Sequence, residues 1–174
     1  TSPRRPTTTQ DAPSATASSV FDFQGDGAAE VVYADECFTR VHAGPSGEVL
    51  FSAYRTSCTW FENPIVADPD RDENTEIVVG SNRNCRVACP DIDPIDPGIR
   101  CDPQDALASC VSGTCTGGFC RGTTDAQCPE GYKCTPPLSG TAGAGNTCRA
   151  YHPASSSGQT GIRVLKDRLD RWVS

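Results

Sequence analysis

DFQGDGAAEVVY, at Asp22–Tyr33, shares its pattern with DPDRDENTEIVV, which lies 46 residues further along the chain at Asp68–Val79. Each stretch has an oxygen-bearing side chain at its positions 1, 3, 5 and 9 and then continues into β-branched residues. Hard cations such as Ca²⁺ bind about six to eight oxygen ligands, mainly carboxylates and carbonyls. The pattern therefore predicts two Ca²⁺-binding loops, each leading directly into a β-strand.

Two other interpretations of these loops have to be compared with this one. An EF-hand loop has a bidentate Glu at its twelfth position and is followed by a helix. The twelfth position here is Tyr33 or Val79, and the residues that follow are strand-like, so both the ligand and the context argue against an EF-hand. Plain turns, in which Asp bonds its own backbone, are the remaining alternative, although turn capping does not require oxygens at all four positions.

The composition favours an extracellular protein over one that binds nucleic acid. The 174 residues allow one or two domains and contain no Met, so we expect a processed or excised piece of a longer chain. A net charge of −7 disfavours binding to phosphates, and a hydrophobic content of 36% predicts a small core. No apolar run approaches the ~20 residues of a membrane-spanning helix.

Eleven cysteines predict a disulfide-stabilised chain. None of them forms a Cys-x-x-Cys motif, and only His42 and His152 are available as further ligands, which argues against zinc. Disulfides require an oxidising compartment, so we expect a secreted or cell-surface location. The odd count leaves at least one thiol unpaired or bonded to another chain.

The spacing of apolar and turn residues divides the chain into five segments. Alternation in the predicted strand Cys37–Ala43 places Phe38, Arg40 and His42 on one face of the sheet. The predicted strands are Glu30–Ala34, Cys37–Ala43, Glu48–Tyr54, Thr75–Val79 and Gly161–Leu165. The predicted segments are a disordered Thr/Ser/Pro linker at 1–19, β repeats at 20–84, a Cys-rich disulfide module at 85–148, a linker at 149–160 and a truncated further β repeat at 161–174.

The two Asp loops resemble the calcium loops of FG-GAP/VCBS repeats, the blades of the β-propeller in integrin α subunits and in bacterial surface proteins. A 46-residue period is also the expected size of a propeller blade. The resemblance implies a mainly β fold, a partial propeller with a disulfide-rich insert, and Ca²⁺ affinity of roughly 10⁻⁴ to 10⁻³ M. It implies side-chain ligands at Asp22, Gln24, Asp26 and Glu30 and at Asp68, Asp70, Asp72 and Glu76, with backbone carbonyls from Ala28 and Asn74.

The Cys-rich segment loosely resembles short extracellular disulfide modules of the EGF or Dickkopf kind. We predict a small irregular module with short hairpins, such as one between Gly113 and Arg121, and no helix or strand of useful length in this segment. In similar modules a further Cys often follows the Cys120–Arg121 pair, and this chain has Gly122 there. That replacement accounts for the odd count, because it leaves one Cys without its partner.

These features predict an extracellular Ca²⁺-binding propeller module for adhesion or for recognition of a protein or glycan, with structural calcium and no enzymatic activity. His42 and His152 are predicted to be surface residues, and Trp60, Phe61 and Trp172 to serve packing. No Gly-x-Ser-x-Gly, His-Glu-x-x-His or phosphate-loop motif occurs. The alternatives are a non-catalytic accessory domain of a secreted hydrolase and a passive surface spacer.

Overall fold

A computed structural model describes residues 17–23, 25–57, 63–72, 75–81, 88–141, 143–152 and 161–165. The described chain is mainly β, with three antiparallel sheets. The first sheet has the order β1-β2-β3-β4, from β1 (Ser19–Phe21), β2 (Glu30–Ala34), β3 (Phe38–Ala43) and β4 (Val49–Tyr54). The second has the order β11-β6-β5, from β5 (Ile65–Ala67), β6 (Glu76–Ser81) and β11 (Gly161–Leu165).

The third sheet lies within the Cys-rich segment. Its order is β7-β8-β10-β9, from β7 (Cys115–Thr116), β8 (Phe119–Gly122), β9 (Tyr132–Thr135) and β10 (Asn146–Ala150). A single helical turn, α1 (Ala106–Ser109), follows a 3₁₀ turn at Pro103–Asp105, and a second 3₁₀ turn occupies Asp125–Gln127. The strands predicted at 30–34, 37–43, 48–54, 75–79 and 161–165 and the hairpin at 113–121 are confirmed within a few residues at their ends.

The first sheet is the central layer of three, because both of its faces are covered. On one face Val32, Val41 and Phe51 pack against Ile77 and Val79 of the second sheet. On the other face Phe38 shares a buried cluster with residues of the Cys-rich segment: Ile99, Cys110, Cys120, Tyr132 and Ala150. The alternation predicted for β3 is confirmed, since Phe38 and Val41 belong to different clusters.

A buried ionic network fastens the Cys-rich segment to the first sheet. The Arg40 guanidinium donates to both carboxylate oxygens of Asp93, from Nε at 2.7 Å and from Nη2 at 3.0 Å. It also donates from Nη1 to Asp35, and all three side chains are shielded from solvent. Ser52 on β4 donates to Asp93 at 2.6 Å. Residues of three separate segments are thereby held together by charge-assisted hydrogen bonds.

A second buried pair of charged residues, Asp96 and Arg149, lies beside this network. The Asp96 carboxylate accepts from the backbone N–H of Gly98 at 2.9 Å and of Ala150 at 2.6 Å. The Arg149 guanidinium donates to the backbone carbonyls of Asp93 and Asp96, at 2.6 and 2.8 Å. Burial, against the effect of these donors, raises the pKa of Asp96 to about 6.

The raised pKa of Asp96 predicts a pH dependence opposite in sign to that of an ion-paired carboxylate. An unfolded Asp titrates near pH ~3.9, so the folded chain binds more protons than the unfolded chain between about pH 4 and 6. Stability from Asp96 is therefore full below about pH 4 and is lost as the pH rises through about 6, by roughly 3 kcal/mol. Urea unfolding of the wild type and of Asp96→Asn from pH 4 to 7 measures this, because only the wild type titrates at this position. The free energy of unfolding of the wild type minus that of Asp96→Asn should fall as the pH rises, and a value of this difference that stays constant or rises would contradict the prediction.

Four disulfides join described cysteines, and they indicate an oxidising environment. The pairs are Cys37–Cys89, Cys101–Cys115, Cys110–Cys120 and Cys128–Cys148. Cys134 is a free thiol, which confirms the unpaired cysteine predicted from the odd count. Cys58 and Cys85 lie outside the described residues.

The position of Gly122 accounts for the free thiol. A Cβ placed on Gly122 would lie 3.3 Å from the Sγ of Cys134. We predict that Gly122→Cys forms a disulfide with Cys134 and stabilises the chain by about 3 kcal/mol, the chain-entropy value for a loop of this length. Thiol titration should fall by one thiol per chain relative to the wild type, with Gly118→Cys as the control that adds one thiol. Retention of the Cys134 thiol in Gly122→Cys would contradict the prediction.

Two sequence predictions for this half of the chain were wrong. The Cys-rich segment was expected to be irregular apart from short hairpins, but β7 to β10 pair into one four-stranded sheet, which the sequence did not indicate because these strands are only two to five residues long and lack a clear alternation. His152 was expected at the surface but is 8% exposed and packs edge-on against Phe38 and Tyr54. Burial lowers the pKa of His152. Trp60, Phe61 and Trp172 lie outside the described residues.

Candidate metal centre

Both Asp loops connect the two strands of an antiparallel hairpin. The first joins β1 to β2, and the second joins β5 to β6. The pairing register is the same in both, since Phe21 is opposite Glu30 and Ala67 is opposite Glu76. The Glu at position 9 therefore opens the second strand of each hairpin, and both Glu side chains are buried.

The backbones of the two loops also correspond. The carboxylate at position 1 accepts from the backbone N–H at position 5 in each loop, Asp22 from Asp26 and Asp68 from Asp72, both at 3.2 Å. Position 4 has a left-handed backbone in each, with φ of 67° at Gly25 and 62° at Arg71. A left-handed conformation costs a non-glycine residue about 1–2 kcal/mol. The backbone at Arg71 is therefore strained, whereas the backbone at Gly25 is not.

The second loop brings three carboxylates together. Oxygen atoms of Asp68, Asp70 and Glu76 all lie within 4.8 Å of one another. Ca²⁺ binds oxygen at about 2.3–2.6 Å, so two ligands on opposite sides of one ion are about 5 Å apart. The donor atoms are hard oxygens, and their spacing fits a single Ca²⁺.

In the first loop the carboxylates bond to the loop backbone. Asp22 accepts from Gly27 at 2.8 Å, Asp26 accepts from Ala28 at 2.7 Å, and Glu30 accepts from Phe23 at 3.1 Å. Among the described residues these carboxylates do not form a three-carboxylate group like that of the second loop. The first loop therefore has the contacts of an Asp-capped turn. Asp68 of the second loop likewise accepts from the backbone N–H groups of Arg71 and Asp72, so a bound ion in either loop would have to use the remaining lone pairs.

The predicted ligand set is partly assembled by the structure. Asp68, Asp70 and Glu76 converge, whereas Asp72 is outside that group. Gln24 and Asn74, predicted at positions 3 and 7, lie outside the described residues.

The two loops lie on neighbouring hairpins. Ala17, just before β1, donates its N–H to the Asn63 side chain at 2.7 Å, and the Ser19 hydroxyl donates to the Pro64 carbonyl. Because the two contacts join the starts of β1 and β5, these strands begin side by side.

A second group with metal-like spacing consists of sulfur atoms. The Sγ atoms of Cys101, Cys110 and Cys120 lie within 4.8 Å of one another. All three are in disulfides, with Cys115 as the fourth member. A metal ligand is a thiolate, so this group is a pair of adjacent disulfides rather than a zinc site.

A groove between the first sheet and the Cys-rich segment was not predicted from the sequence. It has a volume of about 450 Å³, and its lining includes Val49, Phe119 and Leu138. Glu48 lies at the groove and is ion-paired with Arg100, whose guanidinium stacks over the Phe119 ring at 5.4 Å. The lining comes from segments far apart in sequence, so no local motif could have indicated it.

No protein-family model matches the chain, and neither the curated proteins nor the solved structures contain a match. The assignment to the FG-GAP/VCBS family is therefore wrong. The described strands form three separate antiparallel sheets, none of which closes into a propeller, and no blade repeat is seen. The physical reason is that a nine-residue Asp loop specifies only the hairpin around it and does not determine which sheets the other strands join.

In the described part of the chain, the helical segments are too short to cross a membrane.

Proposed function

We propose that this chain is an extracellular recognition module in which the loop 68–76 binds a structural Ca²⁺. The observation that carries the proposal is the convergence of the Asp68, Asp70 and Glu76 carboxylates at a spacing that suits one ion. The four disulfides and the acidic composition are consistent with an extracellular protein. We do not assign catalysis to it.

The position of Glu76 favours a structural role for the ion. Asp68 and Asp70 belong to an exposed loop, whereas Glu76 is fully buried and begins β6. An ion shared by these residues would tie the exposed loop to a strand whose Ile77 and Val79 form part of the core. It would also offset the mutual repulsion of three carboxylates and compensate for the strain at Arg71.

Calcium should raise the thermal stability of the oxidised chain. A ligand that binds only the folded state adds about 2.7 kcal/mol at one hundred times its dissociation constant. We expect a higher Tm in millimolar Ca²⁺ than in EDTA, a smaller change in Mg²⁺, and loss of the Ca²⁺ effect in Asp70→Asn. Differential scanning calorimetry measures all of these.

Matched variants separate the two loops and control for charge. Asp26→Asn tests the first loop, and Asp105→Asn removes an exposed Asp outside both loops. The Ca²⁺ effect should survive in Asp105→Asn. A wild-type Tm that is the same in Ca²⁺ and EDTA would overturn the calcium proposal and leave both loops as Asp-capped turns.

We propose the groove beside Glu48 as the surface that recognises a protein or glycan. Its volume falls in the range of about 300–1,000 Å³ typical of ligand sites, and apolar side chains lie beside a few polar groups. A panel of glycans and extracellular matrix proteins tests this with the wild type, Leu138→Asp and Leu107→Asp. Leu107 is 88% exposed and lies on α1, outside the groove lining, so its variant is the control. Binding that only Leu138→Asp loses supports the groove, whereas absence of binding, or equal binding by all three, overturns it.

A further inference from the structure

The free thiol lies opposite an existing disulfide. Cys134 on β9 is the register partner of Cys148 on β10, and Cys148 is bonded to Cys128. Residues directly opposite each other in an antiparallel pair share one face of the sheet, with Cβ atoms about 4.5–5.5 Å apart. The thiol and the disulfide therefore lie on the same face of the third sheet.

Contacts of the 3₁₀ turn Asp125–Gln127 place this thiol and this disulfide together. The Asp125 carboxylate accepts from the backbone N–H of Cys134 at 2.9 Å, which ties the turn to β9 immediately before Cys128. The Sγ of Cys148 lies 3.7 Å from the Gln127 carbonyl. The Cβ position at Gly122 is 3.3 Å from the Sγ of Cys134 and 3.4 Å from the Cβ of Gln127. Both sulfur atoms therefore lie on the side of the third sheet that the turn Asp125–Gln127 contacts.

We propose that Cys134 exchanges with the Cys128–Cys148 disulfide, so that the folded chain interconverts between two disulfide isomers. The Cys134 thiolate attacks the Sγ of Cys148, a Cys134–Cys148 bond forms, and the Cys128–Cys148 bond breaks. Cys128 leaves as a thiolate and takes up the proton that Cys134 lost. The number of disulfides is unchanged, so the step needs no oxidant or reductant.

The surroundings of Cys134 make the exchange slow at neutral pH. Burial raises the pKa of the Cys134 thiol and the Asp125 carboxylate raises it further, against a hydrogen bond with Asn146. The neighbouring basic side chains of the three strands lie at adjacent positions and so on the opposite face: Arg121, Lys133 and Arg149. Because the thiolate is the nucleophile, the rate should rise about tenfold per pH unit below the pKa of the thiol.

The exchange has a structural consequence at the turn. In the observed isomer the disulfide closes a segment with a sequence separation of 20 and holds Cys128 against β10. In the second isomer the bond joins the two paired strands directly. Cys128 and the turn before it are then released from β10, and the free thiol moves from a half-exposed strand to that turn.

Mass-spectrometric mapping of the free thiol tests the proposal on the full oxidised chain. Samples are held at about pH 6 and about pH 9, quenched in acid to remove the thiolate, and alkylated with a maleimide in denaturant. Among Cys128, Cys134 and Cys148, we expect label on Cys134 at both pH values and label on Cys128 that increases with time faster at the higher pH, with Cys148 unlabelled. Label confined to Cys134 at both pH values would overturn the proposal.

Two variants show where any exchange begins. Cys134→Ser should leave Cys128 and Cys148 unlabelled at either pH, and label on them in this variant would also overturn the proposal, because another thiol would then be the nucleophile. Gly122→Cys should suppress label on Cys128 by capturing Cys134. Cys58 and Cys85 are mapped on their own peptides, so their state does not enter the comparison.

Discussion

Asp93→Ala is expected to destabilise the chain by about 3–5 kcal/mol, the range seen when one partner of a buried ion pair is removed. The variant removes the carboxylate that accepts from both Nε and Nη2 of Arg40 and from Ser52. Arg40 would then keep Asp35 as its carboxylate partner in a region shielded from water. Equilibrium unfolding in guanidinium chloride at neutral pH measures the loss of stability.

A nearby Asp provides the control for this prediction. Asp91 is exposed and lies two residues before Asp93, so Asp91→Ala should change stability by no more than about 0.5 kcal/mol. The double variant Arg40→Met with Asp93→Ala should be less destabilised than the sum of the two single variants, with a coupling of at least about 1 kcal/mol. Additive effects, or a small loss in Asp93→Ala, would show that the network does not fasten the Cys-rich segment.

Replacing Cys37 and Cys89 by Ser is expected to cost about 4 kcal/mol in the chain-entropy description of disulfides. This bond has a sequence separation of 52 and connects the first sheet to the Cys-rich segment. Cys37 belongs to the same buried cluster as Phe38, and the half-buried Cys89 packs against that cluster, so packing near the first sheet would also be loosened. Thermal unfolding of the double variant measures the cost.

Removal of a disulfide that closes a shorter loop provides the control for this prediction. Cys101–Cys115 has a sequence separation of 14 and lies within the Cys-rich segment, so its double Ser variant should lose about 3 kcal/mol by the same description. Both variants lose one disulfide, and therefore the difference reports the longer loop and the connection between layers. Equal or reversed losses would mean that the Cys37–Cys89 bond adds little to that connection.

The part of the fold that follows local rules was predictable from the sequence. β2 is rich in Val, β3 alternates, and the turn Gly-Pro-Ser-Gly at 44–47 precedes β4, and all three strands occur where expected. The Asp loops were located because their oxygens recur at fixed positions, and the shared backbone at Gly25 and Arg71 reflects that pattern. The left-handed backbone at position 4 was not predicted in either loop, and in the second loop Arg71 gives no indication of it.

Features of the fold that depend on contacts between residues far apart in sequence were not predictable. Asp93 gives no sign in the sequence that it meets Arg40, because the pair is 53 residues apart. The signal available was that the charged Arg40 lies on the same predicted strand face as the apolar Phe38. The family assignment was wrong for a related reason, since it extended a property of one hairpin to the arrangement of whole sheets.

Arg40 also determines how β3 pairs with its neighbours. A slip of one residue in a strand turns every side chain to the opposite face. Arg40 would then face the layer that contains Ile77 and Val79, and Val41 would face Asp93. An apolar side chain tolerates either environment, but a guanidinium moved away from its carboxylates does not. The residue least suited to an apolar core is thus the one that makes the correct pairing distinguishable from its nearest competitor.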